Sequence, residues 1–169
     1  PQLALYAEHM NMLMIENDST LAEFKLSISQ KYKRHRPRLL ILLGNPALLM
    51  RDEYRELWGD IPIVLCSEEN YLGPQETYTK KQAIATADRT PLTQLADPYN
   101  MVLLYSNLYL DENIQLICHI VPEIKKFIFI GDARQINQTN NLDIRNKLKK
   151  THPNVEYQFI TPQDMTTNQ

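Results

Sequence analysis

The chain is poor in the residues that build the commonest catalytic loops. Four glycines occur in 169 residues, too few for a backbone that must wrap a phosphate closely. None of the patterns G-x-G-x-x-G, G-x-x-x-x-G-K-[ST] or G-x-S-x-G is present. The two cysteines, Cys66 and Cys118, are too few for a disulfide framework. Both stand in apolar surroundings, which suits buried, unreactive thiols. The four histidines are scattered, without ligand spacing to one another or to the cysteines, so no metal site is expected. No apolar run exceeds the five residues 39–43, whereas a membrane helix needs about 20. The start of the chain also lacks the basic-then-apolar order of a secretory signal. It opens on Pro1 rather than Met, so a processed or cut polypeptide is expected, with any export signal or anchor outside it.

An excess of charge of either sign is lacking as well. A net charge of −2 gives no general pull toward nucleic acid or anionic lipid. The one basic cluster, Lys31, Lys33, Arg34, Arg36 and Arg38, reads as cations at a helix carboxyl end. With 43% hydrophobic and 22% charged residues the composition is that of a globular protein.

What is present is alternation of short apolar runs with amphipathic segments. Residues 3–9 alternate and predict a first strand. Thr20 and Glu23 form a capping-box pattern before a helix carrying Leu21, Phe24, Ile28 and Tyr32, closed by Pro37. Residues 39–43, 61–66, 101–105 and 127–130 are continuous apolar runs, the pattern of strands buried on both faces. Asn45 and Pro46 predict a helix start, with Met50, Tyr54, Leu57 and Trp58 on one face. A further helix from Asp111 carries Ile114, Ile117, Cys118 and Val121. The next spans about 139–150 with Ile144 and Leu148 inward, and Val155, Tyr157 and Phe159 mark an edge strand. Residues 67–89 show no period and predict a long loop, followed by a short helix after Thr90-Pro91. The order predicts an α/β protein: three layers, α/β/α, around a mainly parallel, Rossmann-like sheet.

Ligands of open parallel sheets bind beyond the carboxyl ends of the strands. That rule selects Asn45, Ser67, Glu68, Ser106, Asn107, Asp132, Arg134 and Asn137 as candidate ligand-binding residues, several of them suited to neutral polar groups. The same residue types are ordinary caps and turns. No nucleophile–base pair accompanies them, so no catalytic residue and no cofactor is expected. A Rossmann-like hydrolase or transferase domain using Glu68 or Asp132, and a dimerisation domain, stay open as alternatives.

Several segments together carry a family likeness: residues 42–47 (Leu-Leu-Gly-Asn-Pro-Ala), 58–66 (Trp-Gly-Asp-Ile-Pro-Ile-Val-Leu-Cys), 112–114 leading to Pro122, 126–132 (Lys-Phe-Ile-Phe-Ile-Gly-Asp) and 142–145. The chain resembles the N-terminal periplasmic sensor region of hybrid two-component sensor histidine kinases, which is similar to ABC-type, sugar-binding-like periplasmic binding proteins of type I. The resemblance implies a periplasmic-binding-protein-like fold whose two lobes close on a ligand. Residues 1–108 would then be a first lobe lacking its initial strand and helix, and 109–169 the start of a second; a single Rossmann-like domain over 1–169 is the alternative. It further implies a small-molecule ligand such as a sugar, and a periplasmic segment of an inner-membrane protein whose kinase activity lies elsewhere. Exposed sheet edges would suit a homodimer.

Overall fold

The computed structural model describes residues 4–162. Its first helix, α1 (Asp18–Tyr32), starts at a capping box one turn earlier than the sequence pattern suggested. Asn17 Oδ1 accepts from Thr20 N at 3.0 Å, while Thr20 Oγ1 accepts from Asn17 N at 3.3 Å. Thr20 therefore fills the third helical position, the one expected for Glu23. Leu21 and Ile28 face inward, and the Trp58 indole donates at 3.3 Å to the Tyr32 carbonyl near the helix end.

Three strands form the main sheet: β1 (Leu40–Leu43), β2 (Ile63–Ser67) and, later in the chain, β5 (Met101–Tyr105). They pair in the order β1-β2-β5, all parallel, with Leu42 beside Leu65 and Leu65 beside Leu103. Pro62 sits just before β2, where it donates nothing and its carbonyl accepts from Leu40 N. Gly44 follows β1 with φ +85°, a backbone that side chains strain to adopt. This turn sends the chain into a 3₁₀ segment (Asn45–Met50) that leads straight into α2 (Arg51–Trp58).

Residues 67–89, expected as a long loop, are largely ordered. They contain β3 (Tyr71–Leu72), α3 (Gln75–Thr79) and a 3₁₀ turn (Thr86–Asp88). β3 pairs antiparallel with β4 (Thr90–Pro91), just ahead of α4 (Thr93–Ala96). The reason is apolar anchorage. Leu72, Tyr78 and Ile84 are buried in the same core as Leu21, Leu42, Leu48, Leu65 and Met101. Short elements without a period of their own are held by such contacts rather than by propensity.

The last third of the chain builds its own small unit. Helix α5 (Leu110–Ile120), strand β6 (Lys126–Ile130), helix α6 (Gln135–Thr151) and strand β7 (Glu156–Ile160) follow in order. β6 and β7 pair parallel, Phe127 beside Tyr157 and Phe129 beside Phe159, and the second pair of rings stacks at 5.5 Å. Ile114, Ile144 and Leu148 form a core separate from the first.

Two expectations are corrected. Leu3 lies outside the described residues, and residues 4–9 form no strand; they are exposed, with Glu8 tied to Lys31 and Tyr32. No neighbouring strand edge pairs with them, and alternation without a partner does not make a strand. The apolar runs are also not buried on both faces. Leu42, Ile63, Leu65 and Met101 face the core, whereas Ile41, Leu43, Val102 and Leu104 on the opposite face are each more than half exposed. On β6, likewise, Phe127 and Phe129 pack inward and Ile128 and Ile130 stand out to solvent. The architecture is mixed α/β with a small parallel sheet whose helices gather on one face among the described residues.

Gly44→Ala keeps every packing contact but forces a side chain into the left-handed region. It should cost about 1–2 kcal/mol of stability, read as a lower urea midpoint with an unchanged denaturant slope.

Candidate functional site

Strand alternation carries the main sheet's inward face past its end. Ile63, Leu65, Ser67 and then Glu69 are all buried. Asn45, delivered by the turn after β1 and only 2% exposed, closes over them. Its Nδ2 donates to the Tyr71 carbonyl and, at 3.3 Å, to the Glu69 carbonyl. The Ser67 hydroxyl faces Asn45 Oδ1 and the Glu69 carbonyl, and accepts from Glu69 N at 3.0 Å. This cluster ties together the carboxyl ends of β1 and β2 and the start of β3.

The Glu69 carboxyl receives the Tyr71 hydroxyl at 2.8 Å and lies 3.5 Å from Asn45 Nδ2. Burial pushes its pKa up, against the lowering effects of Tyr71, Gln135 and the nearby Arg89. Tyr71 is itself driven far up by burial and by the Glu69 charge, so its phenol stays protonated.

From here contacts cross to α6. Gln135 touches Glu69 and donates from Nε2 to Thr139 Oγ1 at 2.7 Å. Thr139 Oγ1 also accepts Ile84 N at 3.0 Å. Arg89 lies 4.5 Å from the centre of the Tyr71 ring and donates to both Asp143 oxygens, at 2.8 and 3.0 Å, and to the Ile84 carbonyl. These polar links join two units whose apolar cores are separate.

A concavity of about 250 Å³ opens at the carboxyl ends of β2 and β5. Leu65, Leu92 and Ser67 form its buried floor, Leu103 a half-buried wall, and Asn70, Thr93, Leu104 and Tyr105 its exposed mouth.

The eight sequence-selected residues do not converge. Asn45 and Ser67 meet in the buried cluster, and Ser67 alone among the eight lines the concavity. Glu68 points outward and is exposed; its neighbour Glu69 is the buried acid. Ser106 N completes the ladder by donating to Ser67 O, and Asn107 Oδ1 accepts Tyr109 N at 3.1 Å in a turn. Asp132, Arg134 and Asn137 form a separate group. Asp132 accepts Arg134 N at 2.9 Å, Arg134 Nε at 2.7 Å and Asn137 Nδ2 at 2.7 Å. Burial alone disfavours the Asp132 carboxylate, but these donors outweigh it and hold its pKa below the ordinary value. Glu69, Arg89, Gln135, Thr139 and Asp143 were not selected from sequence.

Both cysteines are free and half-buried rather than fully buried. Among the described residues no three His, Cys, Asp or Glu side chains gather closely enough to hold a metal ion, and no helix is long and apolar enough to cross a membrane. Compared with protein-family models, with curated proteins and with solved structures, the chain matches none.

Two outcomes follow from the junction. A carboxyl whose folded pKa is raised stabilises fully below its ordinary value of 4.5, and that stability is lost as the pH climbs through the folded value. The wild-type melting temperature, plotted as its difference from Glu69→Gln, should therefore fall as the pH rises above 4.5; a flat difference would contradict the burial of this group. Asp143→Ala leaves the Arg89 guanidinium half-buried and unpaired. It should cost about 2 kcal/mol, whereas Asp111→Ala, at an exposed pair with Lys147, should cost less than about 1 kcal/mol, both by urea titration.

Proposed function

We propose that the chain is a non-enzymatic ligand-sensing α/β module that binds a small molecule at the carboxyl rim of its parallel sheet. The observation that carries this reading is the concavity beside Ser67, at the strand ends where open α/β sheets take their ligands. Its floor is fixed by the core and its mouth is open, the form of a preformed small-molecule site.

The finer reading is a Rossmann-like, periplasmic-binding-protein-like sensor region of a hybrid two-component histidine kinase. Two units, each with its own parallel sheet and apolar core, are the kind of parts such a sensor moves. The contacts between them run through hydrogen bonds and the Arg89–Asp143 pair. A ligand that favours one arrangement of the two units shifts the population toward it, and the change passes to a kinase elsewhere in a membrane-anchored parent. The module would lie in the periplasm. Pairing of two copies through the bare sheet faces is in keeping with this role. Side chains at the rim are engaged with one another rather than arranged as a nucleophile beside its base, which suits binding more than turnover: Ser67 donates toward Asn45, and Asp132 accepts from Arg134 and Asn137.

Melting the protein against a panel of monosaccharides, oligosaccharides, amino acids and aromatic metabolites tests the reading. A true ligand at a hundred times its Kd raises stability by about 2.7 kcal/mol with no chemical change in the ligand. A panel without any shift, or a turned-over compound, refutes it.

A further inference from the structure

We propose that the rim concavity takes a flat, mainly apolar small molecule with one hydrogen-bonding end, rather than a polyhydroxylated one. This rests on the sensing reading and names the ligand class of the same site.

The floor decides the chemistry. Leu65 is fully buried and Leu92 is 3% exposed, so both lie sealed beneath the half-buried Leu103 and the exposed Leu104, whose aliphatic side chains are the surface a ligand meets. Ser67 is the polar side chain on that floor, and its one proton is already committed. A hydroxyl has one proton and two lone pairs; the proton faces Asn45 Oδ1 and the Glu69 carbonyl, and the oxygen accepts Glu69 N. A pyranose carries a hydroxyl on most of its ring carbons. Each one pressed against Leu103 or Leu104 gives up its bonds to water and gains no partner in return. A sugar would lose several such bonds here.

Size points the same way. An apolar cavity of roughly 150 Å³ takes benzene. The concavity here, at about 250 Å³, has room for a fused pair of rings.

Polar groups stand at the mouth instead. The side chains of Asn70 and Thr93 are exposed there and make no hydrogen bond among the described residues. The backbone of β5 adds more. Ile63 N donates to Asn100 O and Ser106 N to Ser67 O, so even-numbered peptides of β5 turn toward β2. Those of Leu103 and Tyr105 turn to the open edge of the sheet. Tyr105, half exposed at the mouth, supplies a ring face for stacking. A ligand with its rings on the leucines and its polar end at Asn70, Thr93 and the strand edge satisfies each of these groups.

The test uses the whole chain with indole and 2-naphthol as flat probes and glucose and maltose as polyhydroxylated ones, followed by melting and by calorimetric titration. Saturable one-to-one binding of a flat probe, with a rise in melting temperature of several degrees, is expected. Leu103→Trp fills the concavity and should weaken that binding at least tenfold. Thr93→Trp blocks the mouth from an exposed position and should do the same with the core untouched, which covers the case where Leu103→Trp fails to fold. Sugar binding without flat-probe binding would overturn the ligand class and leave the sensing reading standing. Flat-probe binding unchanged in Thr93→Trp would overturn the site. No binding by any of the four probes would overturn the inference, while the wider metabolite panel still decides the sensing reading.

Discussion

The rim of this protein depends on one buried amide. Asn45 is nearly inaccessible, and its side chain meets groups from two other segments at once: the Ser67 hydroxyl at the end of β2, and the carbonyls of Glu69 and Tyr71 on the way into β3. Burying an amide without partners costs a few kcal/mol, so the site holds only while all three segments keep their places. That requirement fixes where β3 starts. It thereby places Tyr71 against Arg89, and Glu69 within reach of Gln135 on α6. The geometry of the concavity and of the junction both follow from it.

A polar hub of this kind specifies arrangement more than it adds stability. Hydrogen bonds inside a protein replace bonds to water and contribute about 1 kcal/mol net, whereas breaking one side leaves a stranded group. The apolar core supplies the cohesion, through Leu21, Leu42, Leu48, Leu65 and Met101. The amide, the serine and the glutamate decide which way the chain leaves the strands. The same division holds on the other side: Ile114, Ile144 and Leu148 hold α5, α6 and their strands together, while Arg89 and Asp143 set where that unit meets the first.

Much of the fold was legible in the pattern of residues. The runs at 39–43, 61–66, 101–105 and 127–130 are strands, and their parallel pairing follows from the helices between them. Residues 4–9 misled because alternation records only that two faces differ, and says nothing about whether a neighbouring strand exists. The stretch 67–89 misled because its order comes from Leu72, Tyr78 and Ile84 reaching a core that lies elsewhere in the sequence. Strand-end logic found Asn45 and Ser67 and reached the segment ending in Glu69, but kept Glu68 of that acid pair as the candidate. The available signal was simple: the inward alternation of 63, 65 and 67 reaches 69 two positions on, and Glu68 falls on the outer side. Gln135 was lost because the pattern of α6 was read from Thr139 onward, one turn late. Arg89 and Asp143 had no local signal, since a pair 54 residues apart is visible only once the chain is folded.

The outer surface of the main sheet leaves a mark on how the protein behaves in bulk. Ile41, Leu43, Val102 and Leu104 make a flat hydrocarbon plane carrying no charge. Attraction between such planes grows with sulfate and with warming, because both raise the cost of wetting oil. Attraction between charges is instead screened by salt. An attraction acting through this plane is therefore set by the solvent's tolerance for hydrocarbon rather than by the modest net charge. Cold, low-salt buffers are the conditions under which such an attraction is weakest.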